Sequence, residues 1–283
     1  MPTQPSQTKP SQPTSNELRA GLLGWPISHS LSPRLHGFWL QHYHISGEYT
    51  ALPVAPDVLR EIVKKLVDDG WKGFNLTIPH KEAILPFLDA IDPVAERIGA
   101  VNTVVISAGK LMGRNTDSYG FWENIRPSIA HKRKAVILGA GGAARAVVEA
   151  LDDAGFEQIC IANRNLERAK ILVGARAHIT AVDWEHREAA LRDADLLVNT
   201  TSLGMTGKEA LSIDLALLPT SALVHDIVYS PLMTPLLLQA QIRGNPVVGG
   251  LGMLLHQAVP AFEAWFGKRP EVTPELRRYV LGG

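Results

Sequence analysis

Apolar and polar positions follow two alternating periods along this chain. From residue 18 onward, short apolar runs of strand length are followed by segments with apolar residues at helical spacing. The first half predicts strands at 18–24, 47–54 and 73–77, helices at 33–43 and 56–70, and a helix that opens at Pro79. VNTVVIS and KLMGRNT, separated by Ala108 and Gly109, predict a hairpin, which breaks the alternation and indicates a sheet edge.

The second half keeps the alternation without a break. A helix at 118–125 leads to the apolar runs KAVIL, QICIANR, ADLLVNTTS, ALVHDIVYS and NPVVGG, with helical segments between them. We therefore predict an α/β protein of two domains with a cleft between them. Residues 18–116, completed by C-terminal helices at 251–283, form a substrate-binding domain, and residues 117–250 form a Rossmann-type parallel-sheet domain. Residues 1–17, rich in Pro, Gln, Ser and Thr, are predicted to be a disordered tail.

Composition narrows the classes of partner. Hydrophobic residues make up 46% of the 283 residues, enough for sizeable cores, and 28 basic residues balance 28 acidic ones. This balance provides no basic field for nucleic acid or anionic lipid, and no apolar run reaches membrane-spanning length. The single cysteine, Cys160, cannot form an internal disulfide and is predicted to be buried and inert. We expect a cytoplasmic protein, monomeric or homodimeric, that binds a small molecule and no metal.

A glycine-rich turn follows the strand KAVIL. Gly139, Gly141 and Ala144 form the pattern G-x-G-x-x-A, in which the glycines permit a tight turn and backbone approach to a pyrophosphate. The next strand ends at Asn163 and Arg164, with no Asp or Glu to accept a ribose 2′-hydroxyl. A guanidinium pairs with a 2′-phosphate, so this pattern favours NADP(H) over NAD. The glycine pattern could instead be a strand-to-helix turn that binds no ligand, and Arg164 and Arg168 could instead belong to a solvated helix face.

Polar residues cluster at the predicted ends of the strands in the first half. They lie in HSLSP, NLTIPHK, VNT and GRNTD, where capping, turn formation and solvation are the alternative explanations. Lys81 is the least expected of them, because a cation in the first turn of a helix opposes the helix dipole. Hydroxyls, amides, one ammonium and one carboxylate suit a small polyhydroxylated anion. Beside an NADP site they indicate hydride transfer between nicotinamide and an alcohol or ketone.

The ordered motifs GWPISHSLSP, GFNLTIPHK, GAVNT, GRNTD, GAGGAARA, NTTSLGM and GLGMLLHQ resemble the shikimate dehydrogenase family, which includes quinate/shikimate dehydrogenases. The resemblance runs from about residue 20 to 283. It implies NADPH-dependent, reversible reduction of 3-dehydroshikimate to shikimate, within aromatic amino acid biosynthesis.

The resemblance also implies roles for individual residues. Lys81 and Asp117 match the catalytic pair. The matching substrate-binding positions are Ser30, Ser32, Thr77, Asn102, Tyr229 and Gln257. The matching cofactor positions are Gly139, Ala140, Gly141, Gly142, Ala143, Asn163, Arg164, Arg168, Thr200, Gly250 and Met253.

Two positions depart from the family pattern. Asn165 replaces a threonine that contacts the 2′-phosphate, and Gly37 replaces an asparagine after His36. Three alternatives stay open at this point: an enzyme that also accepts quinate or NAD, a ligand-sensing regulator without turnover, and a methylenetetrahydrofolate-dehydrogenase-like enzyme. The retained Lys81 and Asp117 argue against the regulator, and NLTIPHK with GRNTD argues against the third.

Overall fold

The computed structural model describes residues 17–27 and 30–282, and the predicted tail therefore lies outside it except for Glu17. The described residues form two six-stranded sheets and ten α-helices. The strands of the first sheet are β1 (Leu18–Gly24), β2 (Gly47–Pro53), β3 (Gly73–Leu76), β4 (Ala90–Ile91), β5 (Thr103–Ser107) and β6 (Lys110–Arg114). Those of the second are β7 (Lys134–Leu138), β8 (Gln158–Asn163), β9 (Ile179–Asp183), β10 (Leu196–Asn199), β11 (Leu223–Asp226) and β12 (Val247–Val248). The helices are α1 (Ser32–His42), α2 (Leu59–Asp68), α3 (His80–Ala83), α4 (Pro93–Ile98), α5 (Asp117–Ile125), α6 (Gly142–Asp153), α7 (Leu166–Val173), α8 (Pro235–Ile242), α9 (Leu251–Phe266) and α10 (Pro274–Leu281).

The first sheet is mixed, with strand order β2-β1-β3-β5-β6-β4. β1 pairs in parallel with β2 and β3, whereas the predicted hairpin of β5 and β6 is antiparallel and pairs with β3 through β5. The hairpin does not form the edge of the sheet. The two-residue strand β4 pairs in parallel with β6 and lies outside it, a strand too short for the hydrophobic pattern to reveal.

Two predicted helices are shorter than expected. The helix predicted at 56–70 is a 3-10 turn (Pro56–Val58) followed by α2. The helix predicted to open at Pro79 is the single turn α3, which a 3-10 turn (Leu85–Phe87) follows. The proline within EAILPFL explains this break, because it has no N–H to continue the helical hydrogen bonds. Lys81 therefore does not face the dipole of a long helix.

The second sheet is parallel throughout, with strand order β12-β11-β10-β7-β8-β9. With these strands renumbered 1 to 6 from β7 to β12 and read from the β9 edge, the order is 3-2-1-4-5-6, which characterises the Rossmann dinucleotide-binding fold. The prediction of a Rossmann-type sheet is confirmed. Its outer strand β9 was not predicted, since only Ile179 among its residues is buried. The prediction for Cys160 was wrong, because its side chain on β8 is half-buried.

The C-terminal helices pack on the first sheet, although they follow the second one in the chain. Leu255 and Phe262 of α9 and Leu276 of α10 share a buried cluster with Trp39 of α1 and Ala20 of β1. Burial of this apolar surface holds the chain end on the first sheet. The domain limits 18–116, 117–250 and 251–283 stay a prediction.

Helices α5 and α9 cross at very short range where the chain passes between the two sheets. A Cβ added to Gly120 would lie 2.6 Å from the Cβ of Gln257, and one added to Gly252 would overlap the side chain of Asn124. Asn124 Nδ2 in turn donates to the carbonyl oxygen of Gly249 at 3.0 Å. Small residues thus allow α5 and α9 to approach closely and fix the ends of the two sheets relative to each other.

An ion-pair network also joins α4 beside the first sheet to α6 of the second. Arg97 Nε lies 2.8 Å from Glu149 Oε2, and Arg97 Nη2 lies 3.1 Å from Asp153 Oδ2. The other carboxylate oxygen of Glu149 lies 2.5 Å from Arg176 Nη1. Because the Glu149 side chain is only 5% exposed, removal of either arginine would leave a buried, incompletely paired charge.

Among residues 17–27 and 30–282, no helix is long and apolar enough to cross a lipid bilayer.

Candidate active site

A cavity of about 580 Å³ lies between the two sheets. Its walls come from the ends of β1 and β3 in the first sheet, the segment after β11 in the second, and the first turns of α6 and α9. Twenty residues line it: Leu22, Trp25, Pro26, Ile27, Ser30, Ser32, Asn75, Leu76, Thr77, Ile78, Lys81, Asn102, Asp117, Ala143, Ile227, Tyr229, Gly250, Met253, Leu254 and Gln257. A site at the carboxyl ends of parallel strands is the expected place for ligands in α/β proteins.

Lys81 and Asp117 meet on the wall of this cavity, although they are 36 residues apart in the chain. Lys81 Nζ lies 2.5 Å from Asp117 Oδ2, and the two side chains are 29% and 14% exposed. The pair is accessible from the cavity but largely shielded from bulk water, which strengthens its electrostatic interaction.

The backbone around Lys81 is held on both sides. Its carbonyl oxygen accepts a hydrogen bond from the backbone N–H of Val101 at 2.8 Å. The neighbouring His80 ring is buried, and its Nε2 lies 2.7 Å from the carbonyl oxygen of Val54. These contacts fix the single turn α3 at the end of β3, so that Lys81 points along the cavity wall.

Asn102 connects the charged pair to the interior of the first sheet. Its Nδ2 donates to Asp117 Oδ1 at 2.8 Å and lies 3.4 Å from Gln257 Oε1. Its Oδ1 accepts from the backbone N–H of Thr116 at 2.8 Å. Asp117 is the first residue of α5 and not its N-cap, and Thr116 at the N-cap position makes no capping hydrogen bond with its side chain.

The other predicted substrate-binding residues also line the cavity. Ser32 is buried at the start of α1, and its backbone N–H donates to Ser30 Oγ at 3.2 Å. Thr77 and Gln257 lie on the same cavity, as does Tyr229, whose pKa is raised by burial of its hydroxyl. The structure therefore brings all six predicted substrate positions and the charged pair to one cavity.

The predicted cofactor residues lie in three places, of which the cavity and the glycine-rich turn are two. Ala143, Gly250 and Met253 line the cavity, whereas the glycine-rich turn lies outside its lining. Gly139 has a φ of +107°, and an added Cβ there would lie 2.7 Å from the hydroxyl of buried Thr200. Half-buried Ala140 follows in the turn, and Gly141 and Gly142 have open space where a side chain would lie. An approaching phosphate would thus meet backbone N–H groups at the start of α6.

The predicted 2′-phosphate residues lie farther along the edge of the second sheet. Arg164 and Arg168 are exposed after β8, and Asn163 Nδ2 donates to the carbonyl oxygen of Asn165 at 2.7 Å. Asn165 Oδ1 caps α7 by accepting from the backbone N–H of Arg168. Asn165 therefore has a local structural role as the N-cap of α7.

Several lining residues were not predicted from the sequence. Trp25, Ile27 and Ile78 form apolar walls, and Asn75 supplies a further amide. Asn75 lies within the motif NLTIPHK and is buried in a strand of otherwise apolar residues, a signal that could have identified it. Among the residues that the structure describes, no group of three or more His, Cys, Asp or Glu side chains could hold a metal ion.

Comparison with known protein families gives three consecutive matches. Residues 22–104 match the shikimate dehydrogenase substrate-binding domain, residues 123–211 the shikimate/quinate 5-dehydrogenase domain, and residues 250–274 the shikimate 5′-dehydrogenase C-terminal domain. A shikimate dehydrogenase (NADP⁺) of Paramagnetospirillum magneticum is 56% identical over 268 residues, covering 93% of this chain and 97% of the relative. The chain belongs to the shikimate dehydrogenase family.

Solved structures agree with this assignment. Shikimate 5-dehydrogenase from Thermus thermophilus, in complex with NADP(H) and shikimate, is 39% identical with a TM-score of 0.84, covering 93% of this chain and 98% of that one. Quinate dehydrogenase from Corynebacterium glutamicum, in complex with NAD, is 31% identical with a TM-score of 0.88, covering 94% of this chain and 99% of that one. The resemblance to the shikimate dehydrogenase family is confirmed, and the methylenetetrahydrofolate-dehydrogenase-like alternative is rejected.

Proposed function

We propose that this protein is an NADP-dependent shikimate dehydrogenase that reversibly reduces 3-dehydroshikimate to shikimate. The observation that carries the proposal is the contact of Lys81 with Asp117 on the wall of the cavity between the two sheets. The relatives that match nearly the whole chain carry the same activity in their names. In this assignment residues 18–116 with 251–283 bind the substrate, and residues 117–250 bind NADP(H).

The residues of the second sheet fit a dinucleotide phosphate. The turn at Gly139 and the open backbone at Gly141 and Gly142 suit a pyrophosphate at the start of α6. Arg164 and Arg168 supply exposed positive charge after β8, where a carboxylate would repel a 2′-phosphate. When bound, NADPH supplies the hydride that reduces the substrate carbonyl carbon.

Lys81 supplies positive charge and a proton to the substrate carbonyl oxygen. Negative charge develops on the carbonyl oxygen as that carbon is reduced, and an ammonium beside the oxygen stabilises the transition state more than the ground state. Lys81 then transfers a proton to the oxygen, and Asp117 holds the ammonium in place during the transfer. In the reverse direction the same pair receives the hydroxyl proton, so the two residues act as one unit.

The remaining cavity residues position the substrate. Ser30 and Ser32 bind its carboxylate with their hydroxyl groups, at the start of α1. Thr77, Asn102 and Gln257 bind the ring hydroxyls, with Tyr229 beside them. Thr200, Gly250 and Met253 would hold the nicotinamide end of NADP(H), and two of them, Gly250 and Met253, line the cavity.

The test is turnover by the purified protein with shikimate and NADP⁺, followed by NADPH absorbance, compared with Lys81→Met. We expect kcat to fall by roughly 10²–10⁴-fold with a modest change in KM, because the ammonium acts chiefly in the transition state. Lys72→Met is the matched control, since Lys72 is an exposed lysine outside the cavity. Wild-type protein without turnover would instead support the ligand-sensing regulator, and normal kcat in Lys81→Met would remove Lys81 from the chemistry.

A second candidate is a quinate/shikimate dehydrogenase with relaxed use of NAD and NADP. It is favoured by the similarity to quinate dehydrogenase with NAD and to a Listeria monocytogenes shikimate 5-dehydrogenase with shikimate and NAD. An additional ring hydroxyl changes binding little in a cavity that already offers several hydroxyl and amide groups. The values of kcat/KM for shikimate and quinate, each with NADP⁺ and NAD⁺, distinguish the two candidates. A cytoplasmic location and a monomeric or homodimeric state stay predictions.

A further inference from the structure

A chain of buried hydrogen bonds runs from the interior of the first sheet to the carboxylate of Asp117. Tyr49 on β2, Asn75 on β3 and Thr103 on β5 form its inner part. These three residues are 7%, 5% and 0% exposed, so water does not compete for these bonds. Asn102 connects the inner part to Asp117.

Backbone groups fix the orientation of both amides in this chain. Asn102 Oδ1 faces the backbone N–H of Thr116 at 2.8 Å, and an N–H can only donate, so the atom facing it must be the oxygen. Asn75 Nδ2 faces the carbonyl oxygen of Asn102 at 3.1 Å, and a carbonyl can only accept. Neither amide can be reversed without placing two donors or two acceptors against each other.

The direction of every other bond in the chain follows from these orientations. Asn75 Nδ2 donates to Thr103 Oγ1 at 3.0 Å, and Tyr49 donates its hydroxyl proton to Asn75 Oδ1 at 2.7 Å. Thr103 directs its own proton to Asn102 Oδ1 at 3.0 Å, which is closer than the alternative acceptor Thr116 Oγ1 at 3.3 Å. All donors therefore point toward Asp117, an arrangement in which each bond polarises the next.

We propose that Thr103 is a positioning residue for the proposed reaction, because its buried hydroxyl supports the Asn102 amide, which donates to Asp117 opposite Lys81. Thr103 touches neither the cavity nor the charged pair, so it acts through Asn102, with Thr116 Oγ1 as a second neighbour at 3.3 Å. A methyl group in place of the hydroxyl leaves Asn75 Nδ2 and Asn102 Oδ1 each with one partner fewer. The Asn102 amide keeps its bonds to Thr116 and Asp117 but loses one of the contacts that restrict its movement, so the support of the Asp117 carboxylate becomes weaker.

This inference rests on the proposed function for its kinetic test, which compares Thr103→Val with Thr103→Ser. Valine keeps the shape without the hydroxyl, and serine keeps the hydroxyl. We expect kcat to fall about 10-fold or more in Thr103→Val with a smaller change in KM, and Thr103→Ser to recover most of the rate. Thr50→Val is the matched control, since Thr50 lies on β2 of the same sheet and takes no part in the chain of bonds. Tyr49→Phe should have a smaller effect, because Asn75 keeps its bond to the Asn102 carbonyl.

A second measurement does not depend on turnover. Selective ¹⁵N labelling of asparagine resolves the side-chain amide signals, which Asn102→Asp and Asn75→Asp variants assign. We expect the Asn102 amide hydrogens to exchange faster with solvent in Thr103→Val than in wild type, and at the wild-type rate in Thr103→Ser.

The outcomes separate the two proposals. Inactive wild-type protein would refute the proposed function, while the amide signals would still test Thr103. Unchanged kcat and unchanged amide exchange in Thr103→Val would overturn the positioning role. Equal impairment of Thr103→Ser and Thr103→Val would also overturn it, because the hydroxyl would then not be the operative group.

Discussion

The stability of this protein should depend steeply on pH through a buried histidine. His36 on α1 is fully buried, and its ring stacks on Tyr49 with centroids 4.0 Å apart and planes inclined by 7°. Trp39, Phe262 and Trp265 complete its surroundings, and neither ring nitrogen has a hydrogen-bond partner in the described part of the chain. Burial lowers the pKa of His36 from 6.5 to about 3, because this apolar site does not solvate an imidazolium ion.

The direction of this pH dependence follows from the difference between the pKa of His36 in the folded and in the unfolded chain. The unfolded chain takes up a proton as the pH falls below 6.5, and folded His36 does not do so until the pH approaches its lowered pKa of about 3. The contribution of neutral His36 to the free energy of unfolding is therefore fully present above the pKa of the unfolded chain. It is lost as the pH falls toward the pKa of the folded protein. Over the roughly 1.5 pH units between the unfolded pKa and pH 5, the loss amounts to about 2 kcal/mol, at about 1.4 kcal/mol per unit.

Neighbouring groups do not offset this effect. Tyr49 is the titratable side chain that faces the ring, and burial raises its pKa well above the usual value, so it stays neutral over this range. His225 on β11 contributes in the same direction, since burial lowers its pKa to about 4. The two histidines together should remove about 4 kcal/mol between neutral pH and pH 5, a large fraction of ordinary domain stability.

The measurement is urea-induced unfolding of wild type and His36→Phe, followed by tryptophan fluorescence at about pH 7.5, 6 and 5. Phenylalanine keeps a flat ring on Tyr49 and removes the titration, so the loss between pH 7.5 and 5 should be about 2 kcal/mol smaller than in wild type. Leu40→Ala is the control, because it opens the same core and should lower stability by about 2–5 kcal/mol at every pH without changing the pH dependence. An identical pH dependence in wild type and His36→Phe would refute the reasoning.

Two further predictions concern the cofactor side of the molecule. Arg164→Ala should raise KM for NADPH about 10-fold or more and leave KM for NADH nearly unchanged, because it removes charge opposite a 2′-phosphate; equal weakening of both would contradict that role. Arg192→Ala is the control, since Arg192 is an exposed arginine in the segment before β10. Gly250→Ala should destabilise the protein by about 1–3 kcal/mol in urea, since its Cβ would lie 2.0 Å from the backbone oxygen of Ile227. Gly37→Ala on α1 has open space for its Cβ and should instead stabilise by about 0.5–1 kcal/mol.

Much of the fold follows from local pattern. The long apolar runs predicted β1, β7 and β8 and the helices around them, because periodicity and turn residues are properties of neighbouring positions. The two-residue strand β4 and the weakly apolar β9 were missed, since their pairing depends on strands distant in sequence. Likewise the end of α3 depends on a proline whose effect the helical pattern of EAILPFL concealed.

In the candidate site, too, some features follow from the sequence and others only from contacts between distant segments. Motifs in the sequence identified Lys81, Asp117 and the other candidate residues, because those residue types at those positions resemble a known family. Local pattern could not reveal that Tyr49, Asn75 and Thr103 align behind Asn102, or that His36 lies in an aromatic core without a partner. The register of β2, β3 and β5 in one sheet and the packing of α9 over α1 decide both. Sequence by itself thus determined which chemical groups the protein has and in which elements. Tertiary structure decided which of them face one another and which are removed from water, because both depend on contacts between segments far apart in the chain.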